Sequence, residues 1–381
     1  MAVNSTNPTV LLCMPVPDFA GVARHLVDIA RNGIPGYNLV FFCPEGELSE
    51  YLENMGVDVR TGEFGPDFGF KKSFVALDRI IGEIQPAIVH THLAYADVVA
   101  VAVVNARKAR HLAHRTVCAP KLISTEHGIA VDDLVYHETV RQQKLMELVH
   151  RIRLWFTDGK IAVSRFNSVQ MSKKWGAKNV TVIPNGVDLD IVAQKVEQKR
   201  VPGEPGILRV VSMARLAPEK KIDVLIDAFA LVLEKDSTAQ LEIAGKGECL
   251  EDLKEQVKRL GIDSNVFFSG FNDPFEVMGR NDVLVQLSIA ENNSYTLLEA
   301  KAGGLKVLAT AMGGNPEQLA PAEMVPALTP ENRQQIVEAA ADKILAYREN
   351  LSIRDTSFRW DSTSQMTKNI SQKYGEVLVN G

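Results

Sequence analysis

Cysteine is scarce in this sequence, and the scarcity argues against two ways of stabilising a fold. Four cysteines occur among 381 residues, and no two of them form a C-x-x-C pair. They are Cys13, Cys43, Cys118 and Cys249. A structural zinc site and a disulfide framework are therefore not expected, and a reducing compartment fits the pattern.

Long hydrophobic runs and a strong charge of one sign are also missing. The first apolar run, TVLLCMP (9–15), is too short to span a bilayer and has no basic segment before it, so it is interpreted as a buried strand. The formal net charge of -5 gives no indication of a nucleic-acid-binding surface. These absences favour a cytoplasmic protein, with peripheral contact at the inner face of the cell membrane left open.

The sequence does contain short apolar runs that alternate with helical patterns. One such pattern is VARHLVDIARN (22–32), whose apolar residues recur at helical spacing. The strand-like runs of the first half lie at 9–15, 37–44, 87–92, 121–127, 159–164 and 179–187. Buried strands that alternate with helices predict a parallel sheet with helices on both faces.

A charged stretch with Pro-Gly breakers, residues 189–207, interrupts the alternation and is interpreted as a linker. A second series of strand-like runs follows at 208–215, 240–247, 265–270, 282–288 and 305–312. The sequence thus predicts an α/β protein of two Rossmann-like lobes, 1–190 and 207–356, that face a central cleft. Open parallel sheets bind ligands at the carboxyl ends of their strands, so each lobe is expected to offer one site.

The stretch AENNSYTLLEAKAGG (290–304) places Glu291 before a helix and Glu299 inside it. Three polar residues can cap the start of this helix: Asn292, Asn293 or Ser294. The N-terminus of a helix presents backbone amides to an anion, and Glu299 lies roughly 7–8 Å further along the axis. Two carboxylates on either side of a phosphate suit a nucleotide sugar. A helix with a solvated glutamate is the alternative.

The stretch SMARLAPEKKIDVLIDAFA (212–230) places Arg215 at a strand end and Lys220 and Lys221 at a helix start. Cations there oppose the helix dipole, and they are tolerated if they face a bound anion. Arg215 and Lys220 could therefore clamp a diphosphate, although a basic surface turn is the alternative. In contrast, IAGKGECL (243–250) lacks the third glycine of a dinucleotide fingerprint and indicates only a tight turn.

Three histidines, His90, His92 and His127, occur at predicted strand ends. His90 and His92 share a face if their strand is regular, but no third ligand has suitable spacing, so no metal site is predicted. His127 is the histidine best placed to meet a substrate. The D-x-D in GVDLD (186–190) is interpreted as structural, because Asp188 follows a turn.

The segment RQQKLMELVHRIRLWF (141–156) is a basic amphipathic helix that ends at Trp155 and Phe156. Such a helix lies on an anionic membrane or packs on the sheet, and packing is the favoured interpretation. Gly21, after the first strand, lets a ligand or another segment approach the backbone, or forms an ordinary turn.

Ten segments in order resemble one family, the retaining GT-B glycosyltransferases of the glycosyltransferase 4 group (group 1). These segments are GVARHLVDIA, AIVHTH, STEHG, GKIAVS, VTVIPNGVD, MARLAPEKK, LEIAGKGECLEDL, NVFFSGF, DVLVQLSIAENNSYTLLEA and GGNPEQL. The resemblance runs from about residue 10 to residue 320. It implies a nucleoside-diphosphate sugar as co-substrate, a carbohydrate or lipid-linked acceptor, and a role in surface polysaccharide or glycolipid synthesis. It implies no metal and no other cofactor.

The resemblance also implies roles for residues. Arg215 and Lys220 match the basic pair on the donor diphosphate, and Glu299 and Glu291 match the residues on the ribose and on the transferred sugar. The other matches are Asn292, Asn293 and Ser294 at sugar and phosphate, Phe271 at the base, Gly21 near the phosphates, and His127 near donor sugar and acceptor. Residues 357–381 resemble the family's terminal helix, which crosses back to the first lobe.

Two features depart from the family pattern. The family commonly has glycine-phenylalanine-glycine where this chain has Asn292, Asn293 and Ser294, and glycine where it has Lys221. Two other functions therefore stay open, a nucleotide-sugar epimerase of the same architecture and a non-catalytic nucleotide-sugar-binding relic. A dehydrogenase is the least favoured function, because the fingerprint glycines are missing.

Overall fold

The computed structural model of the chain describes six stretches of residues, 7–18, 21–114, 119–129, 140–202, 206–351 and 358–379. Cys118 lies outside these stretches, and so does most of the loop between residues 128 and 143. The chain divides into two compact units. The first contains the described residues up to Gly186 and those from Asp361 onward, and the second is Val187–Trp360.

The first unit is built on a seven-stranded parallel sheet in the order β3-β2-β1-β4-β5-β6-β7. Its strands are β1 (Thr9–Cys13), β2 (Asn38–Cys43), β3 (Asp58–Thr61), β4 (Ile88–His92), β5 (Lys121–Glu126), β6 (Gly159–Ala162) and β7 (Val180–Val182). Its helices are α1 (Gly21–Asn32), α2 (Glu47–Asn54), α3 (Gly69–Ile84), α4 (Ala94–His114), α5 (Val140–Trp155), α6 (Arg165–Trp175) and α14 (Thr363–Val379).

The second unit is built on a six-stranded parallel sheet in the order β10-β9-β8-β11-β12-β13. Its strands are β8 (Arg209–Met213), β9 (Gln240–Ala244), β10 (Val266–Gly270), β11 (Val283–Gln286), β12 (Lys306–Thr310) and β13 (Met324–Val325). Its helices are α7 (Leu189–Gln198), α8 (Ile222–Lys235), α9 (Leu250–Leu260), α10 (Pro274–Gly279), α11 (Tyr295–Ala302), α12 (Asn315–Gln318) and α13 (Arg333–Tyr347).

Side chains of each central strand alternate between two apolar layers. Val10 and Leu12 of β1 belong to a cluster that includes residues of α1 and α14, whereas Leu11 and Cys13 belong to a cluster with residues of α3 and α4. A strand covered by helices on both faces buries all its side chains, so it is a continuous apolar run in sequence. The predicted α/β fold of two Rossmann-like, parallel-sheet lobes is confirmed.

The strand order reverses at one place in each sheet. β1 lies between β2 and β4, and β8 lies between β9 and β11, so the connections on the two sides of each central strand lead in opposite directions. In open α/β sheets this reversal leaves a crevice at the carboxyl ends of the strands, which is where ligands bind. The loops after β8 and β11, and those after β1 and β4, are therefore where function is expected.

The stretch interpreted as a linker, residues 189–207, begins with helix α7. Val192 and Val196, four residues apart, are buried in the second unit, and the helix packs against α10 and α11. The residues around these two valines are mostly charged, so the composition of the stretch does not reveal its apolar stripe. β3 and β13 are not predicted either, because one is a largely exposed edge strand and the other has two residues.

The C-terminal helix α14 completes the core of the first unit. Met366, Ile370 and Tyr374 are buried in the same cluster as β1 and α1. The chain passes very close to Gly186, where a Cβ atom would lie 2.5 Å from the carbonyl oxygen of Ser362 and 2.6 Å from Cα of Thr363. Glycine at this position is therefore a packing requirement.

We expect Gly186→Ala to lower the free energy of unfolding by roughly 1–3 kcal/mol, because the added methyl group forces two backbones apart. Denaturant unfolding of the purified chain measures the change. Gly375→Ala in α14 is the matched control, since no described heavy atom lies within 4 Å of a Cβ there. Equal stability of the two variants would contradict the packing argument.

Candidate functional site

The loop after β8, which carries Arg215, is held by the turn after β9. The amide of Ala214 donates to the carbonyl of Ala244 at 3.1 Å, and the amide of Leu216 donates to that of Lys246 at 2.8 Å. A Cβ atom on Gly245 would lie 1.9 Å from the carbonyl oxygen of Ala214. The G-x-G stretch is thus a tight turn, as interpreted from the sequence, and it fixes the backbone at Arg215.

Lys220 and Glu291 form an ion pair at the carboxyl edge of the second sheet. Nζ of Lys220 donates to Oε1 of Glu291 at 2.5 Å, and the two side chains are 22% and 11% exposed. Their loops are tied together, because the amide of Ile289 donates to the carbonyl of Glu219 at 2.9 Å. The structure therefore brings together two residues that are 71 positions apart in the sequence.

Arg215 lies on the same loop as Lys220 and is exposed. Its guanidinium donates to Glu219 at 2.5 Å. Lys221, where the family commonly has glycine, adopts a left-handed backbone conformation with φ of 50°. A residue with a Cβ pays roughly 1–2 kcal/mol for that conformation, which explains why glycine suits this position. Lys221 is also the N-cap of α8 and offers no side-chain cap there.

Ser294 is the residue that caps α11, out of the three that the sequence allowed. Its hydroxyl accepts from the amide of Leu297 and donates to Oε1 of Gln286. Its amide donates to Oε1 of Gln318 at 3.2 Å, and Nε2 of Gln318 donates back to its carbonyl. Gln286 and Gln318 thus fix the start of the helix, and the amide of Ser294 is already engaged. Neither glutamine was singled out from the sequence.

Glu299 is buried in α11, with 5% of its surface exposed. The alternative of a solvated glutamate is therefore wrong for this residue. Asn293 is buried and Asn292 is half-buried in the loop before the cap. Gly313 packs against this loop with φ of +58°, so close that a Cβ atom would lie 1.6 Å from the carbonyl oxygen of Glu291.

Two further predicted residues, Phe271 and Gly21, belong to other elements of the structure. Phe271 follows β10, the outermost strand on one side of the second sheet, and 76% of its surface is exposed. Gly21 is the first residue of α1 in the first unit. No described heavy atom lies within 4 Å of a Cβ placed on Gly21, so the packing of this chain does not itself require glycine there.

Histidines gather at the carboxyl edge of the first sheet. Nδ1 of His92, at the end of β4, lies 2.8 Å from Nε2 of His127, after β5. His25 of α1, which the sequence did not single out, stands beside both, with ring centroids 5.5 Å from His92 and 4.8 Å from His127. Burial lowers the pKa of all three imidazoles, that of His25 to about 4. They are therefore neutral at neutral pH.

His90 shares a face with His92, as predicted for a regular strand, but it has different partners. Its two ring nitrogens lie 2.6 Å from the hydroxyl of Tyr374 and 2.7 Å from that of Thr125. It therefore joins β4 and β5 to α14. The sequence offered no third metal ligand near His90 and His92, whereas the fold supplies His25 and His127 on the side of His92.

A buried ionic network supports the strand end that precedes His127. Arg153 of α5 is 1% exposed and pairs with Asp97 and with Glu126, the last residue of β5. The hydroxyl groups of Thr91 and Ser124 also donate to the carboxylate of Asp97. Arg153 thereby joins α5 to α4 and β5, which confirms that this helix packs on the first unit.

The same helix has an exposed apolar face. Leu145, Leu148, Ile152 and Trp155 recur at helical spacing and are 61%, 52%, 48% and 83% exposed, and Phe156 follows at 45%. Within the described residues, no helix is long and apolar enough to cross a bilayer. One side of α5 therefore packs on the unit through Arg153, and another presents apolar side chains to the surroundings.

Two Rossmann-like units with ligand crevices at the carboxyl ends of their strands define the GT-B class of fold. The sequence comparisons agree with this class. Residues 19–191 match Glycosyltransferase Family 4, and residues 194–354 match Glycosyl transferases group 1. The chain therefore belongs to the group 1 glycosyltransferases of family 4.

The similarity to individual relatives covers only part of the chain or is low in sequence identity. The chain is 33% identical over 146 residues to alpha-monoglucosyldiacylglycerol synthase of Streptococcus pneumoniae, which is 35% of this chain and 32% of that protein. It is 24% identical to UDP-Gal:alpha-D-GlcNAc-diphosphoundecaprenol alpha-1,3-galactosyltransferase of Escherichia coli, over 64% of this chain and 62% of that protein. The first of these matches spans about a third of the relative's length.

Among solved structures, Anabaena HepE in complex with UDP-glucose has the same fold. The TM-score is 0.72 and the identity 16%, over 98% of this chain and 100% of that one. At this identity the likeness concerns the fold alone.

We expect Arg153→Met to lower the free energy of unfolding by about 3–5 kcal/mol, because it leaves two carboxylates buried without their cation. The matched control is Arg151→Met, on the same helix, where an exposed pair with Glu147 is lost at a cost under about 1 kcal/mol. Thermal or denaturant unfolding compares the two. Similar destabilisation in both variants would contradict a structural role for the network.

Proposed function

We propose that the chain transfers a sugar from a nucleoside-diphosphate sugar to an acceptor hydroxyl, with retention of anomeric configuration. The observation that carries the proposal is the Lys220–Glu291 pair, 2.5 Å apart, at the switch point of the second sheet. A cation, a carboxylate and the capped start of α11 occur together there. This combination suits an anionic leaving group bound next to a sugar with hydroxyl groups to hold.

Lys220 and Arg215 hold the donor diphosphate in this proposal. The ammonium group of Lys220 has three N–H donors, so it can keep Glu291 as a partner and still donate to a phosphate oxygen. Arg215 is exposed on the same loop and offers a planar set of donors. The positive end of α11 adds a favourable potential for the same charge.

The carboxylates hold the two ends of the donor. Glu299 accepts hydrogen bonds from the ribose hydroxyls, and its burial keeps competing water away. Glu291 accepts from hydroxyl groups of the transferred sugar, assisted by Asn292 and Asn293, while Ser294, whose amide and hydroxyl are engaged, fixes the loop that carries them. Phe271, exposed at the outer end of the same sheet edge, meets the base.

The chemical step breaks the bond between the anomeric carbon and the phosphate oxygen and forms one to the acceptor oxygen. The leaving diphosphate gains negative charge as the sugar takes on oxocarbenium character. Preorganised cations that face this charge lower the barrier, and the leaving phosphate accepts the proton of the acceptor hydroxyl. Because protein cations do this work, we propose that transfer needs no metal.

The acceptor binds to the first unit in this proposal, near His127. One relative is an alpha-monoglucosyldiacylglycerol synthase and the other a galactosyltransferase for alpha-D-GlcNAc-diphosphoundecaprenol, so we propose a lipid-linked or carbohydrate acceptor. A neutral His127, with one N–H and one lone pair, can orient an acceptor hydroxyl. The expected role is in the synthesis of a surface polysaccharide or glycolipid.

We expect Lys220→Ala and Glu299→Ala each to reduce kcat/KM for transfer by roughly 100-fold or more while the chain stays folded. A thermal-shift screen first identifies the nucleotide-sugar donor that stabilises the chain. The rate of transfer is then measured as the release of the nucleoside diphosphate from this donor. Lys235→Ala is the control, since it loses only an exposed pair with Asp342 at the other end of α8. Near-normal turnover in both site variants would refute the assignment.

Retention and metal independence are tested together. We expect the proton NMR spectrum of the product to show the anomeric configuration of the donor, and the rate in excess EDTA to stay within about twofold of the untreated rate. Inversion of the anomeric centre would rule out the retaining assignment. A loss of activity that added Mg²⁺ restores would show that Arg215 and Lys220 do not suffice.

We also propose that the exposed apolar face of α5 docks on a membrane that carries the acceptor. Leu145, Leu148, Ile152 and Trp155 form a continuous face, and Lys144 and Arg151 lie on the same helix, so apolar and electrostatic attraction act together. A lipid-linked acceptor would then lie at the same membrane surface.

We expect Leu148→Ser combined with Trp155→Ser to weaken binding to vesicles that contain anionic lipid by roughly 10-fold or more. Co-sedimentation measures the bound fraction. Leu112→Ser, which removes an 83% exposed leucine from α4, should leave binding unchanged. If the control loses as much binding as the double variant, α5 is not the docking face.

A further inference from the structure

The first unit gathers three histidines, of which His25 and His92 have no role in the transfer reaction proposed above. His25, His92 and His127 each offer a ring nitrogen, and the three nitrogens lie within 4.8 Å of one another. They come from three different elements, namely α1, the end of β4 and the segment after β5. His25 and His92 are buried, whereas His127 is half-buried.

The orientation of His25 leaves a lone pair available to a ligand. Its Nδ1 lies 3.0 Å from Oδ1 of Asn185, an oxygen that can only accept, so Nδ1 carries the proton. Nε2 is then unprotonated, and it has no hydrogen-bond partner among the described residues. Metal-binding histidines in proteins have this arrangement, in which the other ring nitrogen donates to an oxygen that fixes the tautomer.

His92 and His127 are joined by a hydrogen bond that a metal ion can replace. Nδ1 of His92 and Nε2 of His127 lie 2.8 Å apart, so these two nitrogens share one proton. The buried Nε2 of His25 has no hydrogen-bond partner in the described part of the chain. Leaving this nitrogen unpaired is costly, which makes a purely structural role for this group of rings unfavourable.

The spacing of the three nitrogens suits a tetrahedral ion. Zinc binds imidazole nitrogen at about 2.0–2.1 Å, which places neighbouring ligand nitrogens about 3.3 Å apart. The pair at 2.8 Å must open slightly and the widest pair, at up to 4.8 Å, must close. Side-chain rotations of His127, the least buried of the three, accommodate such changes.

We propose that His25, His92 and His127 bind one divalent transition-metal ion of the zinc class. Three neutral imidazoles favour Zn²⁺, Co²⁺ or Ni²⁺ over Mg²⁺ and Ca²⁺, which prefer oxygen ligands. The fourth position is left to water, because His127 borders the surface. Asn185 is the positioning residue of the site. This ion takes no part in the transfer step proposed above.

The test uses the full chain, purified after EDTA treatment, and Co²⁺ as a spectroscopic stand-in for Zn²⁺. We expect one equivalent of Co²⁺ to produce a visible absorption band, and one equivalent of Zn²⁺ to abolish it. His25→Gln and His127→Gln should each weaken Co²⁺ binding by roughly 100-fold, and Asn185→Ala by about 10- to 100-fold. Circular dichroism confirms that each variant is folded.

The matched control is His111→Gln, which removes an exposed histidine from α4. It should bind Co²⁺ as the unaltered chain does. If His25→Gln does not fold, His127→Gln decides the question, because the side chain it changes is half-buried. Absence of the visible band, unaltered binding in folded His127→Gln, or an equal loss in the control would each overturn the proposal. Metal binding is measured without any transfer assay, so it stands or falls separately from the proposed function.

Discussion

Parallel pairing of every strand in both sheets is the constraint on which the arrangement of this protein depends. Parallel strands end at one edge, and the order reverses beside β1 in the first sheet and beside β8 in the second. Lys220 and Glu291 lie in loops at the edge of the second sheet, and His92 and His127 lie at that of the first, while the central strands β1 and β8 are largely buried. The residues proposed to bind ligands are thus largely separate from those that pack the sheets, so the sequence of the loops can vary without altering the sheets.

The sequence predicted the central strands well because a strand covered on both faces is a continuous apolar run. Edge strands have no such run. β3, with the sequence DVRT, is mostly exposed, and β13 has two residues, so only pairing with a neighbour defines them. Helix α7 was mistaken for a linker because Val192 and Val196 are its only fully buried residues among many charged ones.

The candidate donor site was predictable because its signals are local. A strand end, a basic turn, a cap residue and a glutamate one turn into a helix all lie within short segments, and so Arg215, Lys220, Glu291, Ser294 and Glu299 could be singled out from the sequence. His25 and Arg153 were not, because their partners are remote. His25 meets Asn185 across 160 residues of sequence, and Arg153 meets Asp97 across 56. Only the fold brings these side chains to their partners.

The most direct test of the account is calorimetric titration of the chain with UDP, GDP and ADP. The account predicts that one of these diphosphates binds with one site per chain. It also predicts that Lys220→Ala weakens this binding by roughly 10-fold or more, whereas Lys235→Ala does not, because only Lys220 faces the phosphates. Failure of all three to bind, or equal binding by Lys220→Ala and the unaltered chain, would contradict the donor site at the carboxyl edge of the second sheet.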